Sequence, residues 1–542
     1  MMGHRLGEQA ALFYEFSLER HVPPNHLLRS IDRFVELDGL RRELSAFYST
    51  IGRPSIAPEL MIRMLLVGYC VGIRSERRLC EEVHLNLAYR WFCRLGLEGD
   101  VPDHSTFSKN RHGRFRDSDL LRRMFETVLQ RCMREGLVGG EAFAVDASLI
   151  RADANRQKGI EGEKGLPAEA TGRAVEEYLA VLDDAAFGAA TEVTPKFISP
   201  ADPAARWTGA HGGQAFFGYS TNYLIDAENA IIVDVEATTA IRQAEILAAK
   251  RMIERSMERF DLYPAKLMGD SAYGSAEMIG WLVYEHGIEP HVTVFDKSER
   301  RDGTFSRDDF TYDHAIDVYV CPGGKLLTTT GSLIDGATLR YRASKYDCQA
   351  CRLKPRCCPK EPARYVPRSI YEGGRDMARE IAKSWEGRTS RRLRKKIEML
   401  FAHLKRILKL DRLRLRGPNG ARDEFILAAT AQKLSVGIRH IPMWVPLLTT
   451  AGWYMKELVQ YPPQFKIGFL NNNPPIYDLL PKVSNRENTA RARRAASAAA
   501  IDPSVATIAR ARHRAAPVRS GRSQARSMCP SILWQFTHSL RL

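Results

Sequence analysis

Three acidic residues occupy positions at which a carboxylate could hold a divalent cation. Asp146 lies inside the apolar segment EAFAVDASLI (141–150), Asp270 follows a short apolar run, and Glu398 lies in a strongly basic segment. A carboxylate in a central strand is costly to bury unless it is paired or bound to a cation. Mg²⁺ prefers oxygen ligands, and two such ions about 3.5–4 Å apart activate an attacking oxygen and stabilise a leaving one. The three acids therefore suggest metal-dependent phosphodiester chemistry.

Each acid also has an ordinary structural interpretation. Asp146 could cap a turn, Asp270 could form one, and Glu398 could belong to a solvated cluster of ion pairs. Four further acids could take their places in a metal site, and the sequence does not exclude them: Asp153, Asp226, Asp234 and Asp296. Chain order alone does not decide between these interpretations.

The segment Arg388–Gly417 predicts the helix that carries the third acid. Its apolar residues recur at three- and four-residue steps and form one stripe that faces a core: Leu393, Ile397, Leu400, Leu404 and Leu408. A second face of the same helix collects polar residues: Arg391, Arg394, Glu398, Lys405 and Lys409. An acid among these cations suits a helix that lies against a phosphate backbone, provided that partner acids come from elsewhere in the chain.

The positive charge of the protein is concentrated in two blocks. The 542 residues carry a net charge of +16. Residues 388–416 contain twelve Lys or Arg and two acids, and residues 486–542 contain eleven Arg and two acids, so the remainder is slightly negative. Such blocks are the electrostatic footprint of a protein that binds a polyanion such as nucleic acid.

The cysteines and apolar runs indicate the cellular compartment. The ten cysteines are too scattered for a disulfide framework, which favours a reducing environment. The N-terminus carries no signal-peptide pattern, and the best apolar run, 441–455, is shorter than the roughly 20 residues of a spanning helix. We therefore expect a cytoplasmic protein that associates with the nucleoid by binding DNA and has no membrane partner.

Five of the cysteines could form a zinc site. Cys348-x2-Cys351 supplies a knuckle-like pair, and Cys321 together with Cys357 or Cys358 could complete four tetrahedral thiolates. A second tight Cys-x2-Cys pair is missing from this spacing. Reduced and packed thiols are therefore the alternative interpretation.

Periodicity predicts an α/β fold. Apolar residues at helical spacing dominate from 23 to 136, where the loop PDHSTFSK (102–109) leads into a helix that carries Lys109, Arg111 and Arg114. Strands are predicted at 141–150, 216–226, 230–238, 266–268 and 289–295, and helices at 243–260, 275–286 and 421–439. This order indicates a mixed sheet with helices on its faces, in which ligands gather at the ends of central strands.

Composition divides the chain into four parts. We expect a helical N-terminal DNA-binding domain at 1–137, a catalytic domain at 138–295 and 387–445 with a helical or loose insertion at 152–210, a Cys-rich insertion at 296–386, and a basic, largely disordered tail at 446–542. The Cys-rich insertion shows little strong periodicity, so no element is predicted within it.

The third-acid segment resembles that of the DDE transposases of bacterial insertion sequences, in the group whose motif is Y-x2-R-x3-E-x6-K. Arg394-x3-Glu398-x6-Lys405 matches this motif in spacing and residue type, and Arg391 stands at the tyrosine position. The departure at Arg391 leaves the acid and the other two cations of the motif intact.

Other segments extend the resemblance over about 28–441. AVDAS (144–148) and GDSAY (269–273) resemble the first-acid and second-acid strands of the family, and PDHSTF (102–107) resembles part of its N-terminal helical domain. The Cys-rich insertion is similar to that of one subgroup. The tail beyond Trp453 has no counterpart in this comparison.

The resemblance implies a ribonuclease-H-like catalytic fold with a two-metal site. Asp146 would bridge two Mg²⁺ ions, for which Mn²⁺ could substitute, and Asp270 and Glu398 would each help to hold one ion. Water would attack at an end of the element, and the freed 3′-hydroxyl would then attack target DNA. Arg394 and Lys405 would hold backbone phosphates near the scissile bond.

Further DNA contacts are expected on the same reasoning. Recognition of the inverted-repeat ends would fall to the N-terminal helices, and a homodimer would pair the two ends. The residues assigned to DNA binding are Arg391, Arg394, Lys405, Lys409, Tyr273, Lys109 and Arg111, although Tyr273 could equally be a buried packing residue.

Three functions are therefore weighed. The leading one is an active transposase that cleaves its element ends and joins them to double-stranded target DNA. A nuclease of the same fold would cleave DNA without joining it. A degenerate transposase would bind DNA without any chemistry, and the presence of all three candidate acids argues against this last function.

Overall fold

The computed structural model describes residues 16–52, 55–188, 193–209, 213–296, 298 and 300–440. The predictions for the tail at 446–542 lie outside these residues. Within them, no helix is both long enough and apolar enough to cross a membrane.

The N-terminal part of the described chain is helical, as its apolar spacing predicts. Asn86 and Asp103 cap two of its helices, because their side-chain oxygens accept hydrogen bonds from the backbone N–H groups of Ala88 (2.9 Å) and Ser105 (2.8 Å). The helices are α1 (Leu18–His21), α2 (Leu27–Phe34), α3 (Leu40–Leu44), α4 (Pro58–Val71), α5 (Glu76–Leu85), α6 (Leu87–Phe92), α7 (His104–His112), α8 (Arg114–Asp117) and α9 (Leu120–Arg134).

The next segment contains the first strand of the central sheet and an irregular insertion. Residues 152–210 were expected to be helical or loose, and their described parts contain a short α-helix, two 3₁₀ turns, two paired strands and a further strand that joins the central sheet. The elements are β1 (Ala142–Arg151), β2 (Ile160–Glu161), α10 (Arg173–Leu179), β3 (Phe197–Ile198) and β4 (Arg206–Thr208).

The remaining strands of the central sheet lie within a residue or two of their predicted starts. A π-helical turn, Trp281–Glu285, extends the second helix of this segment. The elements are β5 (Phe216–Asp226), β6 (Ile232–Thr239), α11 (Arg242–Phe260), β7 (Lys266–Gly269), α12 (Ala276–Gly280) and β8 (Glu289–Val292).

The sheet has the order of a ribonuclease-H-like fold. β5 lies between β1 and β6 and is antiparallel to both, whereas β7 is parallel to β1 and β8 is parallel to β7. β4 pairs with the start of β5. The first strand therefore lies in the middle of the sheet, and the carboxyl end of β7 lies beside the middle of β1.

The Cys-rich insertion contains a second sheet, which the sequence did not predict. All of its pairings are antiparallel. Its strands are only two to six residues long, so the alternation of apolar residues is too short to detect. They are β9 (Thr311–Asp313), β10 (Val318–Val320), β11 (Leu326–Thr328), β12 (Leu333–Ile334), β13 (Thr338–Ala343) and β14 (Tyr365–Ser369), with α13 (Lys345–Gln349) and α14 (Lys354–Cys357) between the last two.

Three helices complete the described chain. α15 (Glu372–Lys383) packs against β8, and α16 (Trp385–Ala402) packs against β1 and β7. α16 continues into a π-helical turn at His403–Ile407. α17 (Gly417–His440) packs against α4, α9 and β6, so it joins the N-terminal helices to the central sheet.

A buried ion-pair network holds α9 and α11 against β6. The Asp234 carboxylate on β6 accepts hydrogen bonds from Arg122 (2.5 Å) and Arg255 (2.7 Å), and Asp234 is 2% exposed. The two guanidinium groups keep the pKa of Asp234 below its ordinary value, against the opposing effect of burial. Asp234 is therefore satisfied by cations of the fold itself.

Asp234→Asn is expected to lower the free energy of unfolding by about 3–5 kcal/mol, because it leaves two buried guanidinium groups without a counter-charge. Urea unfolding at neutral pH measures the change. Asp153→Asn is the matched control, since Asp153 is 31% exposed and its ion pairs lie at the surface; its cost should stay below about 1 kcal/mol. Equal costs for the two variants would contradict this account of Asp234.

Candidate active site

The register of β1 and β7 brings the first two acids together. Ala144 lies opposite Met268 in this parallel pair. Asp146 and Asp270 each follow two residues later along an extended backbone, so they lie at the same level and on the same face of the sheet. The sheet topology thus places Asp146, in the middle of β1, beside Asp270, which directly follows β7.

The third acid approaches from a helix on that same face. Asp146 pairs with Tyr223 of β5, and the Tyr223 ring contacts the ring of Phe401 on α16 with centroids 5.7 Å apart. Paired residues share a face of the sheet, and Glu398 and Phe401 are neighbours three residues apart on the helix. α16 therefore presents Glu398 on the Asp146 side of the sheet.

The predicted apolar stripe explains how α16 docks. The Ser384 hydroxyl caps the helix by accepting a hydrogen bond from the Gly387 N–H at 3.1 Å. The residues of the stripe that are fully buried are Ile397, Leu400, Leu404 and Leu408. Burial of this stripe leaves the polar face of α16 turned towards the strand ends and solvent.

The electrostatics of Asp146 show that the three acids act on one another. The pKa of Asp146 is raised to about 6, chiefly by burial and also by the negative charges of Asp270 and Glu398. A hydrogen bond from the Ala147 N–H (2.8 Å) and the charge of Arg394 oppose this shift. Asp146 is therefore a carboxylate held in an unfavourable, electronegative position.

Arg394 connects the second and third acids. Its guanidinium donates to the Gly269 carbonyl at 3.3 Å, directly before Asp270, and lies 3.8 Å from the Glu398 carboxylate. The Asp270 side chain caps the following turn by accepting from the Ala272 N–H at 2.7 Å. The motif arginine thus fixes α16 to the end of the strand that carries the second acid.

The donor set fits a divalent cation of the hard, oxygen-binding type, with one adjustment. As the side chains stand in the described part of the chain, no three acidic, histidine or cysteine groups are arranged around a common point. The Glu398 side chain is 54% exposed and makes only the long contact with Arg394. Rotation of Glu398 towards the two strand acids is therefore the movement that metal binding requires.

The four rival acids have structural partners. Asp234 lies in the network described above, and Asp226 accepts backbone hydrogen bonds from Gly139 and Gly140. Asp153 pairs with two arginines at 2.8 and 3.0 Å. Asp296 pairs with Arg379 at 2.8 Å and with two further arginines. Each therefore has an explanation that does not involve a metal.

Two residues assigned to DNA binding are buried. Arg111 is 3% exposed and pairs with Glu76 at 2.5 Å, so its charge holds α7 to α5. Tyr273 is 2% exposed, and burial raises its pKa well above the ordinary value. Neither side chain is placed to contact DNA in this structure; Tyr273 packs on the strand end at Gly269, where an added Cβ would lie 3.0 Å from its ring.

The other basic residues assigned to DNA binding differ in how exposed their side chains are. Lys109 and Arg391 are exposed, although the Arg391 guanidinium also donates to the Ala382 carbonyl at 2.8 Å. Lys405 is half-buried in the π-helical turn, and burial lowers its pKa. Lys409 was expected on the helix face of Glu398, but it follows the end of that turn with a φ of 57° and is not part of the face.

Family models match most of the described chain. A model described as a transposase DDE domain matches residues 139–433, which is more than half of the protein, and a transposase domain model, DUF772, matches residues 16–113. The chain belongs to the DDE transposase family. It is a DDE-type DNA transposase, and the family depends on divalent metal ions.

Two further comparisons were made. Among solved structures, the transposase is similar to the cryo-EM structure of a piggyBac transposase synaptic complex with hairpin DNA, at 10% identity and a TM-score of 0.24, with 78% of this chain and 83% of that chain covered. This likeness is too low to support an argument about the present site. A comparison with curated proteins gives no match.

The transposase site has a buried histidine that sequence reasoning missed. The ring nitrogen Nδ1 of His291 on β8 lies 2.8 Å from the Ser390 hydroxyl on α16, and Nε2 lies 3.4 Å from the Glu289 carboxylate. The His291 side chain is 1% exposed. Ser390 is two helical turns before Glu398, so this contact sets the position of α16 against the sheet.

A fourth carboxylate lies near the strand acids. Glu245, in the first turn of α11, accepts a hydrogen bond from the Ser220 hydroxyl at 2.6 Å. Burial raises its pKa, and the charge of Asp270 adds to the shift. In the sequence, only the position of Glu245 shortly after a predicted central strand could have indicated that it lies near the site, because no motif includes it.

Asp146→Asn is expected to stabilise the metal-free transposase by about 1–3 kcal/mol near pH 8, because the folded state raises the pKa of this carboxyl to about 6. The cost of the charged form builds up as the pH rises from about 4 to about 6 and is complete above that range, so the gain should vanish near about pH 4. Urea unfolding in a metal chelator measures it. A loss of stability near pH 8 would show that the Asp146 charge is structurally required.

Ser390→Ala is expected to reduce DNA cleavage about tenfold and to raise the divalent metal concentration that gives half-maximal rate, because α16 loses its contact with His291. DNA affinity should not change. Ser390→Thr keeps the hydroxyl and is expected to restore both quantities. If Ser390→Ala left the metal dependence unchanged, the contact would have no role in positioning Glu398.

Proposed function

We propose that the transposase cleaves the inverted-repeat ends of an insertion sequence with Mg²⁺ and transfers the freed strand into target DNA. One observation supports this proposal: Asp146 on β1 and Asp270 directly after β7 lie side by side on adjacent parallel strands, and α16 brings Glu398 to the same face. The mutual effect of the three charges supports a shared cation, because a cation removes the cost of placing them together.

Each carboxylate has a separate task in this proposal. Asp146, Asp270 and Glu398 hold Mg²⁺, and Mn²⁺ would suit the same oxygen donors. When bound, the ions activate the attacking oxygen and stabilise the leaving one. Asp146 is assigned the central position because the charges of both other acids act on it, and it must be ionised to bind.

The reaction consists of two phosphoryl transfers. In the first, water adds to phosphorus at an element end, the bond from phosphorus to the 3′-oxygen breaks, and a 3′-hydroxyl and a 5′-phosphate remain. In the second, that 3′-hydroxyl attacks a phosphodiester of the target and displaces a target 3′-hydroxyl. The first step is a favourable hydrolysis, and the second exchanges one phosphodiester bond for another, so neither step needs a nucleotide cofactor.

The basic face of α16 supplies the grip on the DNA backbone. Arg391 and Lys395 are exposed on the side of α16 that carries Glu398, and the half-buried Arg394 and Lys405 complete the face. Contacts of this kind neutralise phosphates independently of sequence and weaken as salt rises. Recognition of the repeat ends is assigned to the N-terminal helices, where Lys109 of α7 is exposed, and two copies of the chain would hold paired ends.

The test is cleavage and strand transfer of a labelled element end. Asp146→Asn, Asp270→Asn and Glu398→Gln are each expected to reduce both steps at least about a hundredfold while DNA binding persists, because metal ligands are lost. Asp153→Asn is the control, since this rival acid is committed to surface ion pairs. Full activity in any of the three variants would remove that acid from the site.

The wild-type protein distinguishes the competing functions in the same assay. Cleavage followed by joining in Mg²⁺ supports a complete transposase. Cleavage without joining would instead indicate a nuclease of the same fold. Binding without cleavage, in Mg²⁺ and in Mn²⁺, would indicate a DNA-binding protein without chemistry.

A further inference from the structure

Five cysteines converge on one small cavity beside the second sheet. Cys321 follows β10, Cys348 and Cys351 lie in and just after α13, and Cys357 and Cys358 end α14. All five line the cavity. The fold therefore brings together sulfurs that are up to 37 residues apart in the chain.

Two of the sulfurs already accept backbone hydrogen bonds. The Lys325 N–H donates to Cys321 Sγ at 3.3 Å, and the Arg364 N–H donates to Cys348 Sγ at 3.4 Å. A Cβ added at Gly323 would lie 3.6 Å from Cys321 Sγ and 3.5 Å from Cys351 Sγ, so these two sulfurs flank the same point of the turn. Donors directed at sulfur favour the thiolate over the thiol.

A buried arginine beside the sulfurs has no anionic partner among the residues that the structure describes. Arg364 is 6% exposed and lines the cavity, where its guanidinium donates only to the carbonyl groups of Cys357 (3.1 Å) and Phe305 (2.9 Å). Its Nε has no partner within the described residues. Asp347 also lines the cavity but pairs with Lys325 at 3.4 Å. A buried cation without a counter-charge costs folding free energy, so a negative charge in the cavity would stabilise the fold.

We propose that this cluster binds one Zn²⁺ through Cys321, Cys348, Cys351 and one thiolate of the Cys357–Cys358 pair. Four thiols release four protons on binding, and the resulting zinc tetrathiolate has a net charge of −2 beside Arg364. Tetrahedral sulfur ligation is the usual arrangement of structural zinc, with bonds of about 2.3 Å. As they stand, the described sulfurs do not surround a common point, so the side chains rotate inward on binding.

The proposed zinc would be structural. It joins the turn between β10 and β11 to α13 and α14, and the core of this sheet packs directly against the cysteines: Tyr319, Leu327, Tyr341 and Val366. A sheet with strands this short buries little apolar surface, so a metal supplies stability that packing alone does not. α15 leads from this sheet to β8 and α16, so the zinc lies outside the catalytic site but in the segment that precedes the third acid.

Metal content of the full chain tests the proposal. Protein purified under reducing conditions without added metal is expected to contain about one zinc per chain, and X-ray absorption at the zinc edge should show four sulfur neighbours at about 2.3 Å. Zinc-free protein, an oxygen or nitrogen shell, or iron in place of zinc would overturn it. The measurement does not depend on DNA cleavage, so it succeeds or fails separately from the proposed function.

Single substitutions locate the ligands. Cys321→Ser and Cys351→Ser are expected to lose zinc, whereas Cys80→Ser, a partly exposed cysteine on α5, should keep it. Of Cys357→Ser and Cys358→Ser, one should lose zinc and the other should not. Retention of zinc by both Cys321→Ser and Cys351→Ser would overturn the assignment.

A measurement on the wild-type chain tests the same site without any substitution, so it applies even if the cysteine variants do not fold. After removal of metal with a chelator, addition of Co²⁺ should produce the visible bands of tetrahedral cobalt and a sulfur-to-cobalt charge-transfer band. Their absence would overturn the proposal. A return of the bands to baseline when Zn²⁺ is added would support it, because zinc thiolates bind more tightly than cobalt thiolates.

Discussion

The parallel pairing of β1 with β7 is the constraint on which the rest of the site depends. It places Asp146 beside Asp270. Burial and the neighbouring negative charges raise the pKa of Asp146 to about 6. Without a cation, this arrangement costs folding free energy, so the fold holds an unfavourable charge at the place where we propose that metal binds. The stability of the sheet must come from elsewhere, such as the Asp234 network and the apolar core of β5 and β6.

The position of the third acid is set by contacts other than its own. The Glu398 side chain is exposed and loosely paired, whereas the helix beneath it is fixed by its buried stripe, by Arg394 at the Gly269 carbonyl and by Ser390 at His291. Because α16 is fixed and only the Glu398 side chain is free to rotate, the proposed site could close around a cation without movement of the sheet. The arginine of the motif thus has a structural task in addition to the DNA contact proposed for it.

Much of this arrangement could be predicted from the sequence, because it follows from periodicity. The stripe of α16 and the strands that carry the first two acids agree with the structure, and the family models confirm the predicted family. The burial of Arg111 could not be predicted, since its partner Glu76 lies 35 residues earlier and only tertiary packing joins them. Whether Tyr273 is buried or contacts DNA could not be decided either, because its burial also depends on tertiary packing. Lys409 was placed wrongly because a helical projection assumes that the helix continues, and here a π-helical turn ends it.

The second sheet shows why an insertion can stand between two catalytic elements without disturbing them. It enters after β8 and leaves through α15, which packs back against β8 and gives the Ala382 carbonyl to Arg391. The chain therefore returns to the strand that it left, and α16 begins from a point already fixed to the catalytic sheet. A metal cluster that orders the insertion would reduce the conformational freedom of this return path. Stability of the insertion and placement of Glu398 are in this way physically connected, although neither the cysteines nor their cavity touch the site of the reaction.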